Sequence, residues 1–299
     1  MTPGAAIDLE RLTKRYGARR GIEEVSLTVR PGEVFGFLGP NGAGKTTTIR
    51  TMLDLIRPTA GRAMILGLDS HADAGEIHRR VGYLPGDFAA YRRMTGRRYL
   101  AYFAELRELP RSSYESLARK LSCDLEPQIS SLSHGNVQKL GLIQALMHDP
   151  ELLILDEPTQ GLDPLIQHVV HGIVRERAAA GRTVFLSSHI LPEVERTCDQ
   201  VGIIGEGRLL AVEDVGQLRA KAVRIVEFHF AAPVDPAAFA GLSGVSDVEV
   251  RGDIVRCTVQ GSMDALVKAA ARFEVVDLQS QQPGLEELFL HYYRQEDDG

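Results

Sequence analysis

Apolar positions in the first two thirds of the chain recur in two alternating ways, as short unbroken runs and as helical periods. Glu33-Val-Phe-Gly-Phe-Leu38 has the apolar density of a buried strand. A glycine-rich turn follows it, and Ile49, Met52, Leu53 and Ile56 then fall at i, i+3, i+4 and i+7, one face of a helix that must stop before Pro58. Leu152-Leu-Ile-Leu155 is a second buried strand, with Leu165, Ile166, Val169, Val170, Ile173 and Val174 marking the helix after it, and Thr183-Val-Phe-Leu186 repeats the strand. Strands alternating with crossover helices predict an α/β core. Between Thr95 and Leu121 the pattern holds two helical periods and no strand. A helical subdomain inserted over about residues 88–150 is expected there, its face a candidate docking surface.

Past the stretch Arg219 to Val223 the period changes to two. Val226, Phe228 and Phe230 alternate with Glu227 and His229, and Val255, Cys257 and Val259 alternate with Arg256 and Thr258, as half-buried strands do. Arg251-Gly-Asp253 reads as a hairpin turn between two strands. Met263, Leu266, Val267 and Ala270 predict a helix, Val275-Val276 a strand, and Leu285 to Tyr293 a last helix. The expected organisation is an α/β domain over 1–219 and a small C-terminal α+β domain over 220–299.

Composition changes this picture by exclusion. With 44% apolar residues in 299, the chain can bury a full core and is not disordered. Residues 1–219 carry 27 basic and 27 acidic groups, against 7 and 13 in 220–299, so no net basic field favours nucleic acid. No apolar stretch approaches the ~18 residues that cross a bilayer, and a cytoplasmic chain is expected. Cys123, Cys198 and Cys257 are too few and too far apart for a disulfide framework or a metal pair, and read as reduced thiols. His168 and His171 stand at i and i+3 on a helix, but without a third ligand a surface face is the better reading.

The chemistry starts at Gly39-Pro-Asn-Gly-Ala-Gly-Lys-Thr46, which fits G-x-x-x-x-G-K-[ST] between a buried strand and a helix. Glycines let the loop of Gly39, Pro40, Asn41, Gly42, Ala43 and Gly44 turn its N–H groups, with those of the following helix start, toward phosphate, where the helix dipole favours negative charge. Lys45 would reach the β and γ phosphates of a nucleotide, with Thr47 beside it, and the Thr46 hydroxyl would ligate magnesium. At the end of the Leu152–Leu155 strand, Asp156 suits magnesium and Glu157 suits a general base acting on water.

With these motifs in place, the chain resembles the ATP-binding subunits of ABC transporters over roughly residues 6 to 218, and further motifs follow in the family's order. Tyr16 matches the aromatic that stacks on adenine. Leu132-Ser-His-Gly-Asn136 occupies the signature position, Gly161-Leu-Asp163 the D-loop, and His189 the switch histidine. The resemblance implies an α/β P-loop ATPase cassette that hydrolyses ATP with magnesium. Gly135 precedes a helix with Val137, Leu140, Ile143 and Met147 on one face, and Ser133, His134, Gly135 and Asn136 would face the nucleotide of a second copy, so ATP would join two chains head to tail. His134 and Asn136 depart from the usual Gly and Gln. In Gly82-Tyr-Leu-Pro-Gly-Asp87 the family's Gln is replaced by Gly86, followed by Asp87, which leaves open whether Asp87 serves the metal or the loop serves docking. One cassette with a small α+β tail resembles ATPases of drug and antibiotic exporters, working as a homodimer under a separate multi-span permease at the inner face of the cell membrane. The alternatives are a soluble, non-transport ABC ATPase, whose relatives usually carry two cassettes or a long coiled coil, and a nucleotide-dependent regulator.

Overall fold

The computed structural model describes residues 4–17, 19–221 and 224–281. They fall into two compact units, Met1–Glu213 and Asp214–Gly299.

The first unit contains two sheets. Strands β1 (Ile7–Tyr16), β2 (Arg19–Val29), β4 (Ala60–Ile65) and β5 (Leu68–Asp69) form an antiparallel sheet of order β2-β1-β4-β5, while β3 (Val34–Leu38) belongs to the other. The latter has the order β10-β9-β3-β8-β7-β6, with β6 (Val81–Leu84), β7 (Leu152–Asp156), β8 (Thr183–Ser188), β9 (Gln200–Gly205) and β10 (Arg208–Asp214). Strands β6, β7, β8, β3 and β9 run parallel. Each of β3, β7 and β8 is buried along its whole length, as expected of parallel strands covered on both faces.

The antiparallel sheet was not legible in the sequence, because its first strand breaks the two-residue period. Ile7, Leu9 and Leu12 enter one core only because Arg11, at φ 46°, sits in a register shift that inserts a residue. That core joins both sheets: Ile7, Leu12, Ile22 and Val25 meet Phe35, Phe37, Ile154 and Phe185, with the Phe35 and Phe185 rings stacked 5.6 Å apart. Helix α1 (Lys45–Met52) adds Ile49 and Met52. The expected helix ran on to Ile56, but Asp54 turns at φ 55° and the N–H groups of Leu55 and Ile56 both donate to the Arg50 carbonyl, which closes the helix early.

Helix α2 (Ala74–Arg80) precedes β6, and α3 (Gly96–Leu106), α4 (Ser112–Lys120) and α5 (His134–Leu146) fill the interval before β7 without a strand between them. Thr95 caps α3 by accepting from Arg98 N–H. Helix α6 (Pro164–Ala179) follows β7, and α7 (Leu191–Thr197) follows β8. Leu165, placed on the buried face of α6 by its period, is 80% exposed, because it sits in the first turn beside the capping residue.

The second unit opens with α8 (Val215–Lys221) and holds an antiparallel sheet of order β12-β13-β11-β14, with β11 (Arg224–Phe230), β12 (Val245–Arg251), β13 (Ile254–Val259) and β14 (Val275–Gln281). Val226, Phe228, Phe230, Val255, Cys257 and Val259 face one core with Phe239 and with Leu266 of α9 (Asp264–Ala270). Gly252, at φ 66°, makes the turn between Arg251 and Ile254. Val267 is half exposed, since the short α9 buries only Leu266, Ala269 and Ala270. The helix expected over Leu285 to Tyr293 lies outside the described residues. All three cysteines are buried free thiols, and burial pushes Cys123 and Cys257 up to about 11. Among the described residues no helix is long and apolar enough to cross a membrane.

Candidate nucleotide site

Strand order builds the site. Because β3, β8 and β7 are adjacent and parallel, with Leu38 opposite Ser188 and Ser187 opposite Asp156, the segments leaving their carboxyl ends converge. The glycine-rich loop leaves β3, Glu157 leaves β7 and His189 leaves β8.

The loop tolerates no side chain at two of its glycines. A Cβ on Gly39 would lie 2.4 Å from the Ile204 carbonyl oxygen, and one on Gly44, which caps α1 at φ 108°, would lie 2.9 Å from Ile22 Cγ2. Lys45, almost fully buried, donates from Nζ to the carbonyls of Gly39 at 2.6 Å and Pro40 at 3.1 Å, and lies 3.1 Å from Glu157 Oε1. The other carboxylate oxygen, Oε2, is 2.8 Å from His189 Nδ1. Glu157 therefore stands between a lysine and a histidine. Its φ of 51° is strained for a residue with a side chain, and its N–H donates to both the carbonyl and the hydroxyl of Ser187.

Asp156 is fully buried, which a carboxylate tolerates only with partners. Thr46 Oγ1 donates to Oδ2 at 2.7 Å and Ser187 Oγ to Oδ1 at 2.5 Å. A threonine hydroxyl and a carboxylate side by side are hard oxygen donors of the kind magnesium takes.

A cleft of about 880 Å³ opens over these groups. Tyr16, Asn41, Gly42, Gly44, Lys45, Thr46, Thr47, Gly86, Asp87 and Glu157 line it, all singled out by sequence. Gly21, Arg50 and Gln160 line it as well and were missed; Arg50 carried the one available signal, a basic residue on the helix leaving the loop. Gly39, Pro40 and Ala43 shape the loop without lining the cleft, and Asp156 lies behind Thr46. Tyr16 is half exposed, with Lys14 Nζ 5.4 Å from its ring centre.

Asp87 turns to Arg50, with Oδ1 2.6 Å from Nη2, and that hydrogen bond holds its carboxyl below the usual range. A Cβ on Gly86 would approach Asp156 Oδ2 to 3.2 Å, so the position where a glutamine is usual borders the Asp156 carboxylate.

Ser133, His134, Gly135 and Asn136 do not line the cleft; they start α5. Gly135 lies within the first turn rather than ahead of the helix, because Ser133 is the cap and accepts from Asn136 N–H at 3.3 Å. A Cβ on Gly135 would sit 2.6 Å from the Gly161 carbonyl, so this turn packs on the segment leading to Asp163. Asp163 caps α6, its Oδ1 accepting from Leu165 N–H and Ile166 N–H. His171, expected on a surface face, turns inward instead and its Nε2 lies 3.0 Å from Glu193 Oε1, whereas His168 is exposed. A buried acid one turn into α7 supplies the partner that sequence spacing alone did not reveal.

The family model described as ABC transporter matches residues 22–160. The bacitracin transport ATP-binding protein BcrA of Bacillus licheniformis is 38% identical over 225 residues, 73% of this chain and 72% of the relative. The Nod factor export ATP-binding protein I of Rhizobium meliloti is 33% identical over 305 residues, covering 96% and 88%. A solved ATP-binding subunit of an ABC transporter superposes with a TM-score of 0.66 at 31% identity, over 72% of this chain and 92% of that one.

Proposed function

The chain belongs to the ATP-binding subunits of ABC transporters and is an ATPase, and from that membership we propose that it powers a small-molecule exporter as one of two identical copies beneath a separate multi-span permease. The convergence of Lys45, Asp156, Glu157 and His189 at three adjacent strand ends carries this reading. The export direction draws support from the functions for which two relatives are named, bacitracin transport and Nod factor export.

In the proposed mechanism the loop N–H groups between Asn41 and Thr47 cradle the phosphates of ATP, and Tyr16 stacks on adenine. A phosphate oxygen is an anionic acceptor, stronger than the Gly39 and Pro40 carbonyls that now hold Lys45, so Lys45 transfers to it. Thr46 and Asp156 would hold magnesium, which would supply positive charge to offset the negative charge of the phosphates. Glu157 accepts the proton of the attacking water, and His189 orients that carboxylate. Ser133, His134, Gly135 and Asn136 present the start of α5 to the nucleotide held by the second copy, with Asp163 at the joint, and residues 220–299 regulate or stabilise the pair. The chain works at the inner face of the cell membrane through its permease.

Purified with and without a candidate multi-span permease in membranes, the chain should hydrolyse ATP slowly alone and faster with its permease, and should ignore ribosomes and DNA. Stimulation by ribosomes or DNA instead would replace the transport reading with a soluble one.

A further inference from the structure

Behind His189 lies a buried carboxylate that the mechanism above does not use. Strand β8 ends at Ser188 and α7 starts at Leu191, with Pro192 and Glu193 in its first turn, so Glu193 lies close to the strand the chain has just left. Its side chain is 5% exposed. A buried anion needs donors, and Glu193 has them from two separate segments. Ser188 Oγ donates at 2.6 Å, and His171 Nε2 of α6 lies at 3.0 Å. Burial pulls the carboxyl upward, but its hydrogen-bonding surroundings, His171 and Ser188 foremost, outweigh it and hold the group below its ordinary range.

One of those donors adjoins the hydrolytic pair. Ser188 immediately precedes His189, and the same hydroxyl accepts from Ile190 N–H at 3.0 Å, so the peptide carrying His189 is pinned on both sides. His171 extends the network into the helix that Asp163 caps.

We propose that Glu193 is a positioning residue for hydrolysis: its buried carboxylate ties the turn that carries His189 to α6 through His171, and so sets the 2.8 Å contact between His189 and Glu157. The proposal rests on the roles given above to Glu157 and His189. It acts through those residues and touches neither nucleotide nor water.

The test uses the full chain. Glu193→Gln keeps the size of the side chain but sets an amide N–H against one of the donors, and Ser188→Ala removes the bond nearest His189 while leaving the carboxylate its contact with His171. For both variants kcat should fall about 10- to 100-fold, the scale of a small misplacement of reacting groups, with ATP affinity near wild type and a lowered melting temperature that leaves the protein folded at the assay temperature. Glu193→Gln combined with His189→Ala should be no slower than His189→Ala alone, because the carboxylate works through the histidine. A merely structural role would raise KM without that non-additivity. Wild-type kcat in Glu193→Gln, or a double variant slowed by the product of the two single effects, would overturn the proposal; wild-type turnover and ATP binding, measured alongside, report separately on the ATPase reading.

Discussion

His148 should make this protein lose stability in mild acid. The ring follows α5, with Nε2 3.2 Å from the Val81 carbonyl and Nδ1 buried without a hydrogen-bond partner, beside a groove of about 280 Å³ that Arg107, Phe103 and Tyr83 help to line. Burial, then the charge of Arg107 and more weakly that of Arg177, push His148 down to about 4, against the weaker upward pull of Val81 and Asp149. The folded protein thus keeps the ring neutral where the unfolded chain, with an ordinary value of 6.5, takes up a proton. The contribution is fully present above pH 6.5 and is lost as pH falls toward 4. At ~1.4 kcal/mol per unit the whole difference would reach ~3.4 kcal/mol, but the ring keeps some solvent access, and screening reduces this to roughly 1–2 kcal/mol. About half of that should be gone by about pH 5. His148→Gln keeps a donor for Val81 and removes the titration. Urea unfolding at about pH 7.5 and about pH 5 should show the variant losing ~1 kcal/mol less than wild type, since carboxylate contributions are common to both. Equal losses in the two proteins would refute the argument.

Two further outcomes follow from the cleft. Gly44→Ala places a Cβ at φ 108° and 2.9 Å from Ile22 Cγ2, and should cost ~1–3 kcal/mol in denaturation and weaken ATP binding; wild-type values in both measurements would show that the loop needs no glycine there. Asp87→Ala removes a largely exposed ion pair with Arg50, so stability should change by less than ~1 kcal/mol and basal hydrolysis should persist across a magnesium titration, while stimulation by the permease falls. A sharply raised magnesium requirement would instead make Asp87 a metal-site residue.

What could be read in advance followed from how locally each feature is encoded. The phosphate loop, the acidic strand end and the switch histidine are short segments whose residue types already state their chemistry, and parallel strand order then brings them together. The two-residue period of β11 and β13 survives into their buried faces because no irregularity interrupts their pairing. In β1 the bulge at Arg11 hid a whole antiparallel sheet. Partners formed across the fold were equally hidden: nothing local links Arg50 to Asp87, or His171 to Glu193, 22 residues apart.

The central claim is that Glu157 accepts the proton during hydrolysis in a site closed between two copies, and Glu157→Gln tests it most directly. The amide keeps the shape of the site between Lys45 and His189 but cannot take the proton. Size-exclusion chromatography in ATP and magnesium, with hydrolysis measured on the same sample, should show a dimer that retains unhydrolysed ATP and turns over at least ~100-fold more slowly, while Lys45→Ala fails to bind ATP and stays monomeric. A Glu157→Gln protein that remains monomeric and hydrolyses at the wild-type rate would contradict both the base assignment and the two-copy site.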